Sequence, residues 1–295
     1  MQTHTSLNFK CADCMMLRDI KFHLHELSLF LYHLNEKNIY SVIDRKGRWK
    51  DEGVASTEVM SKWLRLASQL ERVEINAFMH DSSHIYCDSV GEMLDSESLH
   101  YEKITTPLTR FIYVFSALEE CYRFLTSEYK KYHLSELNFH TKNEVYFKPS
   151  MQIDFLLRGV VNPATLPFNY NHLVDNLQKV ILKFSEDFSI KQKIYAYKNN
   201  TDLSFGFNLV RSVRNIVAHG DFPLMDDPEY SFSDKRANKR NNLINVLHQS
   251  SRVAAINMQI LIYIFSKCNA EIIDEIGMDY LISLHKNQSF QMNMI

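Results

Sequence analysis

The sequence predicts a mainly α-helical chain: a C-terminal antiparallel helical bundle preceded by an N-terminal, mostly helical region. Three observations predict it. Seven glycines and six prolines in 295 residues leave few positions for tight hairpin turns. Apolar residues recur at helical intervals in one stretch after another. With 45% hydrophobic and 23% charged residues, the composition is that of an ordinary globular chain, with no bias towards disorder. This length can bury two cores. The expected division is residues 1–103, a regulatory or sensing region, and 104–295, a helical domain with an insertion at about 138–171.

Residues 16 to 37 place leucines and aromatics at helical intervals and read as the first helix. After a polar stretch with two glycines (44 to 55), Ser56-Thr57-Glu58 offers a capping start to a helix running towards His80. Asp81 to His100 shows no convincing period and is taken as the seam between the two regions.

From Thr106 the pattern is strong. Leu108, Phe111, Ile112, Phe115, Leu118, Tyr122 and Leu125 fall on one helical stripe. Glu119 lies inside that arc and Glu120 outside it. A carboxylate on the core side needs a cation or several donors, because an unpaired buried charge is costly. Prolines 149, 163 and 167 mark the insertion. Helical periodicity resumes over 172–188, 203–219 and 238–268, the last apolar at Leu243, Leu247, Val253, Ala254, Leu261 and Phe265. Together these suggest a bundle.

The longest apolar run, Ala254 to Phe265, is broken by Asn257 and Gln259 and is too short to cross a bilayer. The first twenty residues mix Lys10, Asp13, Arg18 and Asp19 with apolar ones and lack the uninterrupted core of a secretory signal. A cytoplasmic protein with no membrane partner is expected. Five cysteines, at 11, 14, 87, 121 and 268, form no disulfide framework. Cys11, Cys14, His23 and His25 make a poor zinc pattern, since two histidines one residue apart point to different sides of a helix. No metal or cofactor is expected.

A net charge of −2 exerts no global pull on nucleic acid, so any RNA contact must come from a local patch. Lys235, Arg236, Lys239 and Arg240 place four cations within six residues. The run reads equally as an RNA-binding patch or as a solvated helix start.

Residues 205 to 222, F-G-F-N-L-V-R-S-V-R-N-I-V-A-H-G-D-F, carry the candidate chemistry. Wound as a helix, Leu209, Val210, Val213, Ile216 and Val217 form an apolar arc. Arg211, Arg214, Asn215, Ala218 and His219 occupy the remaining face. Gly220 stands where a left-handed C-cap is expected, so His219 falls in the last turn, where the helix dipole favours a protonated imidazole. Asn215 and His219 are neighbours at i,i+4. Such a face also arises without function, its cations merely satisfying end carbonyls.

The string Arg214-Asn215-Ile-Val-Ala-His219-Gly220 resembles the R-N-x3-H-G signature of the HEPN superfamily, and F-S-A-L-E-E-C-Y (115 to 122) is similar to its first helix, with Glu119 as the acidic residue. The resemblance covers roughly 104 to 285. It implies a HEPN-like bundle and a ribonuclease of host defence (abortive infection, antiphage) or a toxin, cleaving tRNA or mRNA. It also implies a homodimer whose two arginine–histidine motifs face one cleft, with an inhibitor or sensor protein as a further partner. A twin suits the geometry, because Arg214 and His219 stand about 140° apart on one helix and do not readily converge on one phosphate.

The implied reaction is attack of an RNA 2′-hydroxyl on the adjacent phosphate, without a metal, leaving a cyclic phosphate and a free 5′-hydroxyl. His219 would act as general base or acid, Arg214 would stabilise charge on the phosphoryl oxygens, and Asn215 would orient the imidazole or the phosphate. Glu119 would pin Arg214 through a charge-assisted pair, with Arg211 and Asp221 in support. Asp221 stands where some HEPN toxins carry a tyrosine modified by a partner nucleotidyltransferase, so that mode of silencing is not expected. Asp221 either raises the pKa of His219 or caps the turn before Pro223. Two other readings remain: a non-catalytic HEPN module that binds nucleotide or RNA or only dimerises, and a helical interaction protein in which 205 to 222 is ordinary packing.

Overall fold

A computed structural model describes residues 16–37, 42–43, 49–50, 57–81, 85, 87–133, 166–167, 169–189, 204–224, 234–268 and 275–287. The chain is mainly α-helical. Among the described residues the extended pairing is slight: β1 (Val42–Ile43) and β2 (Trp49–Lys50) pair antiparallel, Val42 opposite Lys50, and Leu17 forms an isolated bridge with Lys286.

Helix α1 is Ile20–Lys37. It starts there because the Asp19 carboxylate accepts the Lys21 N–H at 2.8 Å, which satisfies one orphan donor of the first turn. Leu24, Leu27, Leu31 and Leu34 form its buried stripe.

Helix α2 is Glu58–Gln69, ending well short of His80. Thr57 precedes it, but its hydroxyl makes no cap; it donates to the Leu31 carbonyl at 2.7 Å and ties α2 to α1. The buried Arg110 guanidinium donates to the carbonyls of Ala67 and Leu70, at 3.3 and 2.6 Å. The end carbonyls thus gain a cation where the backbone turns extended at Leu70. A 3₁₀ turn, Ala77–His80, follows.

Helix α3, Asp88–His133, has 46 residues and runs through Pro107, forgoing one backbone hydrogen bond there. The expected division at 103/104 falls inside it. Its first part carries little period because the buried positions there are few, Leu94, His100 and Ile104, and one is a histidine. Further on, Phe111, Phe115, Leu118, Tyr122 and Leu125 are buried as the stripe predicts, whereas Ile112 is 43% exposed. Val114, Ala117, Cys121 and Phe124 are buried too, because α3 packs against α2 as well as against the long C-terminal helix.

Helices α4 (Tyr170–Phe188), α5 (Ser204–Ala218), α6 (Asp234–Cys268) and α7 (Glu275–Ser283) complete the fold. Contacts fix their directions. The Tyr170 hydroxyl donates to Asn257 Oδ1, and Asn242 at the other end donates to Asp187, so α4 runs antiparallel to α6. Tyr170 also abuts Gly206, while Phe184 stacks on Phe222, so α4 and α5 run parallel to each other. Arg214 meets Glu119 and Phe207 meets Tyr122, so α5 runs antiparallel to α3. The bundle is therefore two helices up and two down, and not antiparallel at every neighbour.

Helix α6 is the axis. It packs against α1, α3, α4, α5 and α7, so all ten residues from Val253 to Ile262 are buried, eight of them apolar and the other two Asn257 and Gln259. The longest apolar run of the sequence is thus core. Phe265 lies outside the residues whose side chains are described. Among the described residues, no helix is long and apolar enough to cross a membrane. Side chains of α1 and α2 join those of α3 to α6 in one buried cluster.

Candidate active site

The site is built on α5. Leu209, Val210, Val213 and Ile216 are buried and Val217 is partly so, which turns the polar positions 211, 214, 215 and 219 away from the core's centre. The α5 N-terminus sits deeper, with Ser204, Phe205, Gly206 and Phe207 all buried. Position 206 admits only glycine without rearrangement: a Cβ there would lie 2.3 Å from the Tyr170 hydroxyl and 2.9 Å from Val174. At the other end the His219 N–H reaches the Asn215 carbonyl at 3.0 Å and the Gly220 N–H reaches Val217 at 3.4 Å. Gly220 takes φ +75°, the left-handed cap that its position predicts. Two residues on, Phe222 stacks on Phe184, with 6.1 Å between ring centroids, and anchors the chain as it leaves the helix.

His219 is exposed, so the core does not claim the imidazole. Arg214 is positioned from across the bundle. Its Nη2 lies 3.3 Å from Glu119 Oε1, both side chains 38% exposed, and its guanidinium carbon stands 5.7 Å from the centroid of the Phe115 ring. Phe115 and Glu119 are one turn apart on α3, so one helical face offers a π-surface and a carboxylate to the same cation. Glu119 is therefore half-buried at the bundle edge and not inside it. Glu120, expected to point away, is 28% exposed and so no more solvated than Glu119; it pairs with Arg123 on its own helix. The contact of Phe115 with the guanidinium was not foreseen from the sequence, where Phe115 reads only as one residue of the apolar stripe.

Arg211 donates to Asn208 Oδ1 at 2.9 Å along its own helix, away from the Glu119 pair. Asn215 is half-buried and Asp221 exposed. Arg214 reaches Glu119 on α3, and His219 lies exposed just past the last residue of α5. Of the basic run, Lys235 and Arg236 lie in the first turn of α6, and their side chains are outside the described residues. Lys239 donates to the Asp187 carbonyl at 2.6 Å and stands 5.6 Å over the Phe188 ring. Arg240 Nη1 is 3.4 Å from His100 Nδ1. Both described cations of the run are thus engaged by the bundle itself.

Cys11 and Cys14 lie outside the described residues, and His23 is fully buried with its Nε2 on Gln259 at 2.9 Å. Among the described residues no group of three or more His, Cys, Asp or Glu side chains is arranged to hold a metal. The chain matches no protein-family model, no curated protein and no solved structure.

Proposed function

We propose that the chain is a metal-independent endoribonuclease of the HEPN type, a host-defence or toxin effector acting as a homodimer. The observation that carries the reading is the Arg214–Glu119 pair, which joins two sequence segments 95 residues apart. Those are the segments on which the HEPN resemblance rests. An exposed imidazole at a glycine-capped helix end supports the same reading.

In the reaction, a 2′-hydroxyl oxygen attacks the neighbouring phosphorus, the bond to the 5′-oxygen breaks, and the products are a 2′,3′-cyclic phosphate and a 5′-hydroxyl. His219 takes the proton from the attacking hydroxyl or returns one to the leaving oxygen. The guanidinium of Arg214, held by Glu119 and Phe115, meets the charge that grows on the phosphoryl oxygens. The twin subunit supplies the partner motif.

One observation favours a second reading, a HEPN module that binds RNA or nucleotide, or dimerises, without cleaving. Arg214 is already satisfied within the subunit by a carboxylate and a ring.

The test is incubation of the native chain and of His219→Ala with total RNA in excess EDTA. The expected outcome is cleavage by the native chain, cyclic-phosphate ends, and a rate lower by about 10²- to 10⁴-fold in the variant. RNA binding without cleavage selects the second reading.

A further inference from the structure

The two ends of the described chain are closed over a buried pair of histidines. The Arg18 N–H donates to the His285 carbonyl at 2.9 Å, the Asn287 N–H to the Met16 carbonyl at 2.7 Å, and Arg18 Nε to the Lys286 carbonyl at 3.2 Å. Beneath this short bridge, His23 at the start of α1 and His285 after α7 are both fully buried. Their ring centroids are 6.2 Å apart.

The hydrogen bonds fix the protonation state of His23. Gln259 on α6 donates its amide nitrogen to the Leu281 carbonyl, so its oxygen is the atom that faces His23 Nε2 at 2.9 Å. His23 must then carry its proton on Nε2, which leaves Nδ1 bare. That Nδ1 is buried with no hydrogen-bond partner. A second proton there would find no protein acceptor and would place a charge in a site closed to bulk solvent. The charged groups that face it are cations or become so: Arg252 from α6, His285 from the C-terminal side and Arg18 from the segment before α1. Burial above all, then these neighbours, hold the His23 imidazole well below its ordinary range.

We infer that the His23–His285 pair is an acid-sensitive latch: protonation releases the 16–18/285–287 bridge and the first turn of α1 from the bundle before the bundle itself unfolds. The bridge lies at the edge of the fold, and opening it to bring the rings to water also parts His23 from Gln259 and Glu26 from Arg18 and Tyr280, a local opening that leaves the rest of the bundle closed. The sign follows from linkage. The closed state keeps His23 neutral, whereas the open state takes up a proton below an imidazole's ordinary pKa of about 6.5. Opening therefore becomes more favourable as pH falls through that value, by about tenfold per pH unit for each proton gained.

Amide hydrogen exchange of the full chain at pH 7.5 and 5.5, corrected for the intrinsic pH dependence of exchange, tests this. Peptides covering 16–24 and 280–287 are expected to lose protection at the lower pH while those covering 108–122 keep it. His23→Gln retains a donor for Gln259 but takes up no proton, and it is expected to abolish most of the response. Equal protection at both pH values overturns the inference, as does uniform loss over the whole chain or an undiminished response in His23→Gln. If that variant does not fold, the profile of the native chain decides alone.

Discussion

At the scale of single residues, Glu119 separates stability from activity. Its pair with Arg214 is 38% exposed on both sides, and an ion pair so wetted contributes less than about 1 kcal/mol. Glu119→Gln should therefore leave the thermal midpoint within a few degrees of the native value. Under the nuclease reading it should lower kcat with little change in KM, because the arginine is needed most when charge grows on phosphate. A large loss of stability with unaltered kcat would assign the pair to packing alone. The pair was expected from the HEPN resemblance, while the periodicity placed Glu119 deeper than the 38% exposure it has. The ring of Phe115 beneath the same guanidinium was not expected, because a stripe of apolar residues does not say which of them also faces a charge. The fate of Lys239 and Arg240 was equally hidden. Their partners, Asp187 and His100, come from other helices far away in sequence.

At the scale of the element, α5 is governed by two glycines for two different reasons. Gly220 needs its backbone: φ is +75° and nothing lies within 4 Å of where a Cβ would stand. Gly220→Ala should then cost about 1 kcal/mol of strain without disturbing a neighbour. Gly206 needs its missing side chain, since a Cβ would strike the Tyr170 hydroxyl and Val174. Gly206→Ala should displace Tyr170 from Asn257 and cost about 1–3 kcal/mol through overpacking. Urea denaturation of both variants checks the order; a costlier Gly220→Ala would contradict it. The cap was readable because Gly after a periodic run is a local signal. Position 206 was not, because its constraint comes from α4. The same distinction explains α2, which a capping motif suggested as far as His80 and which Arg110 of α3 ends at Gln69.

For the whole molecule, the helical class was legible from period and composition, while directions and boundaries were not. Nothing local in the sequence tells α4 and α5 to run parallel, and the polar start of α3 hid a helix that crosses 103/104. One chain holds Arg214 against α3 and leaves His219 beyond the end of α5. Under the nuclease reading, the phosphate pocket is completed by a second chain. The decisive measurement is RNA cleavage in EDTA by Arg214→Ala, by His219→Ala, and by the two mixed after subunit exchange. Each variant alone is expected to cleave at least about 10²-fold more slowly than the native chain, and the mixture to recover part of the native rate, the intact arginine of one chain meeting the intact histidine of the other. A mixture as inactive as its components, beside an active native chain, would contradict it.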